Sequence, residues 1–572
     1  MIINENVYIP MRDTTHLAAD IYLPNNNEKF PSILIRSPYG KDREGTLQGA
    51  SRWVKRGYVV VVQDCRGTGN SEGDYHYYLD DADDGHDSVE WISKTHWSNG
   101  KVGIVGTSYS ANAGYLLAPT QPNGLTAMIC ALGTSNNYLD GRWRGGVWHV
   151  AHAAHWAQLV EVNTGPKPLP KNSNLSSETI DRIKKITIER ARKTVKRMQL
   201  GQGNPLATDF LMESYHHSKF DDYWKAQSID DKYAHTVVPT LHIAGWYDQF
   251  QRGNLENYKG MKNNPNAGPQ MLIIGPWFHG KIDTPFISQI EEQWLDYWMK
   301  DENNSHLLEF PVKIFVVGAN PDSSGPQEGI WRFEKEWPLK RTEFKKFYLN
   351  EEKSGSVQSL NDGSLKIEIP NSSEKIDVID YNPVNENLPG NIGFRSLAIG
   401  ANNPGSNQLD DEVSGQVLTY STSILEEDLE ITGEVLVELY ISSTAVDQVW
   451  AVNLTNVYPD GTSWLCSDGI LKASHNNSHS NPTKLEPNQI HKLEIEIWPM
   501  SQVFKKGNRI RIDIMNANFP KTEPCPYPSL NSIYHSKDYP SSIILPVIPA
   551  NSGGKWFQED SDEPFKGSLN YL

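Results

Sequence analysis

With 572 residues, the chain exceeds what one hydrophobic core can serve and is expected to divide into two or three domains. Its composition, 38% hydrophobic and 22% charged, is that of a soluble globular protein. The formal net charge of −17 repels phosphate backbones and argues against nucleic-acid binding. Cys65, Cys130, Cys466 and Cys525 lie far apart without paired spacing, which argues against a disulfide scaffold or a cysteine zinc site and fits a reducing, cytoplasmic setting. The opening "MIINENVYIPMRD" lacks the basic start and apolar core of a secretory signal, and no run is long enough to span a membrane.

The N-terminal third alternates strands and helices. "NVYIPMRDTTHLAADIYLP" reads as an antiparallel pair, followed by the apolar run "FPSILIRSPYG", an amphipathic segment ending "WVKRG", and the strand "YVVVVQDCRGTG". "DADDGHDSVEWISKTHW" reads as a helix with aspartates in its first turn, where the helix dipole favours them, and "KVGIVGTSYS" as the next strand. Short Val/Ile runs between helices require a parallel sheet covered on both faces. Residues 141–235 change character: "ETIDRIKKITIERARKTVKRM" carries Ile183, Ile186, Val195 and Met198 at helical spacing, and the block is expected to be a helical insertion over the sheet. Its Lys and Arg residues read as a solvated face. The sheet resumes over 236–320 with "VVPTLHIAGWYDQF", "PQMLIIGPWFHG", the helix "ISQIEEQWLDYWMK" and "PVKIFVVG". From 321 to 572 the helical signal vanishes. Alternation in "HKLEIEIWP" and "NRIRIDIMNANFP", with the turn signal "YPDGTSW", predicts an all-β sandwich of roughly 250 residues.

Ser108 of "GTSYS" sits where a strand turns into a helix. In α/β-hydrolases such a turn lifts the serine oxygen above the sheet and sets the next backbone N–H, here that of Tyr109, where an oxyanion forms. Ser110 replaces the second glycine of the G-x-S-x-G pattern, so the turn alone is a weak signal. A hydroxyl needs a base, and the base an orienting carboxylate. Two later strands supply both: "LHIAGWYD" ends at Asp248 and "LIIGPWFH" at His279. All three residues fall at C-terminal strand ends, where open α/β sheets place their sites, and the order Ser, Asp, His is that of α/β-hydrolases. "CRGTGNSEG" lacks the Lys-Ser/Thr of a phosphate loop and reads as a turn at the sheet's rim. His149, His152 and His155 recur every three residues but lack a Glu or Cys at ligand spacing, which favours a pocket wall or cap packing over a metal site.

The segments "RSPYGK", "QDCRGTGNSEG", "GTSYS", "GWYD", "GPWFH", "DGILK" and "NANFPK" resemble the signatures of cocaine-esterase-type serine hydrolases. That group includes α-amino-acid ester hydrolases and glutaryl-cephalosporin acylases and is more distantly similar to Xaa-Pro dipeptidyl peptidases. The resemblance runs from about Met11 to the C-terminus. It implies an α/β-hydrolase domain with a helical cap and a C-terminal jelly-roll domain, hydrolysis through an acyl-enzyme, and no metal or organic cofactor. It also implies that the Tyr39 phenol is the second oxyanion donor beside the Tyr109 N–H. A phenol with a pKa near ~10 stays protonated at neutral pH and can donate.

In the family's α-amino-acid ester branch, carboxylates soon after the triad Asp hold the substrate's ammonium. Here "DQFQ" puts Phe250 and Gln251 in that stretch. Phe250 resembles the aromatic wall of the cocaine-esterase branch, Trp143 and Trp156 in the first cap helices resemble its acyl-pocket tryptophans, and Phe394 is placed to reach in from the β-domain. The expected substrate is a small-molecule ester or amide with an uncharged, partly aromatic acyl group. Alternatives left open are dipeptidyl-peptidase or α-amino-acid ester hydrolase activity, acyl transfer to an amine or alcohol, and a catalytically idle protein whose sandwich binds sugar through Trp450 and Trp464. No nucleic-acid or membrane partner is expected, and a homodimer is left open.

Overall fold

Val59–Asp64 contains four consecutive valines, and all its residues are buried. A run apolar on both faces belongs inside a sheet covered on two sides. The computed structural model describes residues 1–25, 28–41, 44–150, 152–153, 156, 209–279, 282, 285–319, 328–371, 376–385, 388–390 and 406–556. Its first sheet comprises β1 (Ile2–Pro10), β2 (His16–Leu23), β3 (Phe30–Ser37), β4 (Val59–Asp64), β5 (Ser98–Thr107), β6 (Leu125–Ala131), β9 (Thr240–Gly245), β10 (Gln270–Gly275), β11 (Val312–Val317) and β12 (Gly329–Glu334); β7 (Trp143–Arg144) and β8 (Val147–Trp148) form a separate hairpin. The sheet order is 1-2-4-3-5-6-9-10-11-12. The neighbours from β4 to β11 are parallel, so their C-terminal ends share one edge, and antiparallel strands close the two sides. The strand β12, expected in the C-terminal unit, hydrogen-bonds to β11 and extends this sheet.

The α-helices among the described residues are α1 (Glu44–Lys55), α2 (Asp81–Lys94), α3 (Tyr109–Leu117), α4 (Asp209–His216), α5 (Asp222–Ala226), α6 (Gln251–Lys262), α7 (Pro285–Met299) and the one-turn α8 (Leu409–Glu412). Trp53 and Val54 of α1 and Ile290 and Trp294 of α7 pack on one face of the sheet. Val89 and Ile92 of α2 and Ala111 and Tyr115 of α3 pack on the other. Most of the expected helical insertion, including the 178–198 segment, lies outside the described residues.

Two further layers of strands, continuous with the first sheet where Val317 of β11 pairs with Gln502, enclose a second core that contains Ile431, Val437, Ile495, Ile512 and Ile543. One runs through Glu343–Asn350, Gly363–Lys366, Leu418–Ser421, Arg509–Met515, Val449–Val457 and Ser463–Lys472. The other runs through Ile376–Tyr381, Ser529–Tyr534, Leu429–Ser443 and His491–Phe504, and Ser542–Ile548 pairs with strands of both. Leu493, Ile495 and Ile497 are buried while Lys492, Glu494 and Glu496 are exposed, as alternation requires. "RIRIDIM" alternates in residue type yet is buried from Ile510 onward, with Arg511 on its polar face ion-paired to the equally buried Glu412. Trp450, a candidate for a sugar-binding face, is fully buried in this core.

The hairpin β7–β8 corrects the sequence reading, which placed Trp143 in a helix. Gly145 and Gly146 have φ of 55° and 77°, the left-handed pair of a two-residue hairpin turn. A Cβ on Gly145 would lie 1.9 Å from the Ile470 carbonyl oxygen, so only glycine lets the turn reach the β-domain. Beside it, Arg144 Nη1 lies 3.1 and 3.0 Å from the two Asp468 carboxylate oxygens, and Lys521 Nζ lies 2.6 Å from Oδ2. The Arg144 guanidinium also covers the Trp498 ring at 3.9 Å.

Asp468 is pulled down to about 2 despite its burial, because both Arg144 and Lys521 favour its charge, whereas Lys521 is pushed down to about 8 by burial. Both values fall, but the fall favours the charged form of Asp468 and disfavours that of Lys521, because Asp468 gains two cations while Lys521 gains one carboxylate and is repelled by Arg144. Asp468→Asn would leave two buried cations facing each other and should lower stability by about 3–5 kcal/mol, read as a shift of the urea midpoint. With its folded-state pKa depressed, the Asp468 contribution is present above pH ~4 and lost as pH falls towards 2. A midpoint unaltered by the substitution would show that the cluster is not a clasp.

Candidate active site

The turn from β5 into α3 is fixed by a close approach. A Cβ on Gly106 would lie 2.3 Å from the Ser110 carbonyl carbon and 2.5 Å from the Ala111 nitrogen, so the strand's last turn passes the helix only as glycine. Ser108 then takes φ 59°, ψ −120°, a conformation that costs a residue with a side chain about 1–3 kcal/mol. Its amide donates to the Ala131 carbonyl (2.9 Å), and its carbonyl accepts from the Ala111 and Asn112 amides (3.0 and 3.1 Å). The hydroxyl is thereby held at the sheet's C-terminal edge. Ser110, in place of the second glycine of the motif, is half-buried in the first turn of α3 and leaves the elbow intact.

Asp248 follows β9 and His279 follows β10 on the same edge. His279 Nε2 lies 2.8 Å from Ser108 Oγ, and His279 Nδ1 lies 2.6 Å from Asp248 Oδ2. The other oxygen of Asp248 accepts from the Phe250 amide at 2.6 Å. Asp248 is fully buried, and the His279 side chain retains 16% exposure, enough to face a substrate. At the base of this edge, a Cβ on Gly245 would meet the Trp277 carbonyl at 2.3 Å, which is what brings the ends of β9 and β10 together.

Tyr109 is anchored from beneath. Its hydroxyl donates to Asp81 Oδ2 (2.7 Å) in the first turn of α2, and Arg36 pairs with the same carboxylate (2.7 Å). Its ring stacks on Tyr78 at 4.1 Å. The aspartates read as dipole partners therefore also serve as buried ion-pair partners, with Arg66 on Asp84 as well. The turn "CRGTGNSEG" supports the loop of Tyr39: Asp64 accepts from the Lys41 amide (2.8 Å) and from the Asn70 amide (3.0 Å), and a Cβ on Gly69 would collide with that carboxylate at 2.2 Å. Tyr39 meets Tyr109 edge-on at 6.2 Å and accepts a hydrogen bond from Trp156 Nε1 at 2.8 Å.

The substrate-pocket expectations divide. Phe250 stands edge-on to His279 at 5.2 Å, and Trp156 reaches Tyr39. Trp143 instead packs with Tyr138, Trp148 and Tyr215 and lines a cavity of about 550 Å³ shared with the β-domain residues Lys472 and Glu523. The Gln251 amide donates to the Pro499 carbonyl and so ties α6 to the β-domain. Phe394 and His155 lie outside the described residues.

His149 and His152 are held well below the usual imidazole range, first by burial and then by nearby cations. Among the described residues no cluster of three His, Cys, Asp or Glu could hold a metal ion, and no helix is long and apolar enough to cross a membrane. Sequence reasoning passed over Arg142, which is fully buried, lies 3.0 Å from His152 Nδ1 and covers the rings of Tyr77 and Trp156 at 5.0 Å each. It also passed over Tyr77 and Tyr78, for which the run "YHYYLDD" was the available signal.

The chain matches the X-Pro dipeptidyl-peptidase (S15 family) over residues 13–281 and the X-Pro dipeptidyl-peptidase C-terminal non-catalytic domain over 292–544. Cocaine esterase of Rhodococcus sp. (strain MB1 Bresler) is 28% identical over 589 residues, covering 95% of this chain and 98% of that protein. An aminopeptidase from the marine sediment archaeon Thaumarchaeota archaeon shares the fold at 20% identity and a TM-score of 0.78, with 96% of each chain covered. An α-amino acid ester hydrolase does so at 23% identity and a TM-score of 0.76, again with 96% of each covered.

Gly106→Ala should force the elbow apart. The expected result is a lowered melting temperature and loss of fluorophosphonate labelling at Ser108; wild-type labelling would show that the turn tolerates a Cβ.

Proposed function

This chain belongs to the cocaine-esterase-type serine hydrolases, and from that premise we propose that Ser108, His279 and Asp248 cleave an ester or amide through an acyl-enzyme. The observation that carries the reading is the pair of hydrogen bonds from Ser108 Oγ through His279 to Asp248, at 2.8 and 2.6 Å. His279 Nε2 takes the hydroxyl proton as Ser108 Oγ bonds to the substrate carbonyl carbon. The carbonyl oxygen, now negative, is received by the Tyr109 N–H and the Tyr39 phenol. As the tetrahedral adduct collapses, His279 hands its proton to the leaving alcohol or amine. A water, deprotonated by the same nitrogen, then releases the acid. Asp248 holds the Nδ1 proton and stabilises the imidazolium throughout.

The acyl group proposed is uncharged and partly aromatic. Phe250 beside His279 and Trp156 beside Tyr39 support it, and so does the absence of carboxylates at 250 and 251, where an ammonium would need one. Dipeptidyl-peptidase and α-amino-ester readings are therefore second. For the C-terminal unit we propose a jelly roll, supported by the two sheets packed across one apolar core.

Ser108→Ala should lower turnover by about 10⁴-fold or more with substrate binding retained, and Asp248→Asn should be comparably severe because the imidazole takes the wrong tautomer. A fluorophosphonate should label the wild type at Ser108 alone. Near-normal turnover in Ser108→Ala would overturn the assignment. In a panel of 4-nitrophenyl esters, neutral aryl acyl groups should outrun α-amino acyl groups; the reverse order would overturn the acyl preference alone.

A further inference from the structure

Trp156 enters the site through its nitrogen as well as its ring. The indole Nε1–H can only donate, and the Tyr39 hydroxyl receives it at 2.8 Å. That fixes the phenol's orientation: its oxygen is the acceptor of this bond, and its own proton must go to a different group. A hydroxyl that accepts one hydrogen bond becomes a better donor of its own, an effect of about 10–30% per bond in a low-dielectric setting.

Trp156 is itself held from two sides. The Arg142 guanidinium sits 5.0 Å from its ring centre, and the Tyr109 ring lies parallel to it, with an interplanar angle of 2° at 6.5 Å. Arg142 is fully buried, and no carboxylate forms an ion pair with it among the described residues. One of its nitrogens meets His152, while Nε and Nη2 have no hydrogen-bond partner among the described residues. A buried cation sits in a low-dielectric setting where its charge is poorly screened. Placed over an indole face, it draws electron density from the ring and strengthens the N–H donor at the ring's edge.

We propose that Trp156 is a positioning residue for the oxyanion donor: its indole N–H, backed by the Arg142 cation, orients and polarises the Tyr39 phenol. The inference rests on the reading of Tyr39 as an oxyanion donor and assigns Trp156 a part in the chemical step beyond lining the acyl pocket. The two roles separate cleanly. A pocket wall affects substrate binding and acts independently of Tyr39, whereas a positioning residue affects turnover and acts only through Tyr39.

The test is a double-substitution cycle on a neutral 4-nitrophenyl ester. Tyr39→Phe should lower kcat by about 100-fold. Trp156→Phe, which keeps a ring and removes the donor, should lower kcat about 10-fold with KM little changed. The double variant should be no slower than Tyr39→Phe. Arg142→Met should follow the same rule, losing turnover in the wild type and nothing further in the Tyr39→Phe background, while Arg142→Lys should recover part of the loss. This second pair covers a Trp156→Phe variant that fails to fold by circular dichroism. If the two effects multiply, or if Trp156→Phe changes only KM, the positioning role is wrong while the triad stands. If Tyr39→Phe turns over normally, the oxyanion reading itself fails.

Discussion

The Asp248 carboxyl group lies where water does not reach it, and the arrangement around Ser108 depends on how its two oxygens are met. One oxygen takes the Phe250 amide and the other takes His279 Nδ1. A buried carboxylate left short of donors is costly, so the turn from Gly245 to Gln251 and the loop carrying His279 are coupled to each other. The coupling works only because the ends of β9 and β10 nearly touch, which Gly245 permits. Once His279 is fixed, its outward nitrogen has one position, and the elbow at Gly106 puts the Ser108 hydroxyl there.

A second constraint lies beneath the elbow. Arg36, Asp81, Asp84 and Arg66 form a buried ionic group whose net contribution to stability is small, because desolvation offsets most of the attraction. Its effect is positional. Asp81 holds the Tyr109 hydroxyl and thereby the residue whose backbone N–H follows Ser108, while the Asp64 turn holds the backbone of the Tyr39 loop. Neither carboxylate bonds to Ser108 or His279. Both fix the segments that carry Tyr109 and Tyr39, which is why the motif "QDCRGTGNSEG" packs beneath the site.

The parallel sheet, its flanking helices and the separation into an α/β part and a β part were legible because apolar runs of period near one, 3.6 and two demand different burial. Ser108, Asp248 and His279 were legible because each ends such a run. Arg142 was not, since a lone arginine among aromatics has no periodicity and its burial is decided by residues distant in sequence. The hairpin at Trp143 was missed for a different reason. "WRGGVW" carries the Gly-Gly signal of a two-residue turn, but two-residue strands are too short for alternation to register. Gln251 looked like a pocket residue because it follows Asp248 closely; the first turn of α6 instead turns it towards Pro499.

That contact belongs to a wider pattern. The C-terminal unit holds the segments on both sides of the pocket. Pro499 and Glu496 take Gln251 and Arg252 of α6, and Arg252 also bridges to the buried Asp140 just ahead of Arg142. Asp468, itself paired with Lys521, holds Arg144 just behind it. Arg142 is thus pinned two residues away on either side by charges answered in or through the β-domain. A guanidinium with two donors unanswered among the described residues is costly to keep buried, since local rearrangement is cheaper than a buried orphan. The ionic contacts of the β-domain keep the 140–144 segment from relaxing, and so hold a cation against the Trp156 ring. The second domain thereby reaches the electrostatics around Tyr39 through the segment that carries Arg142.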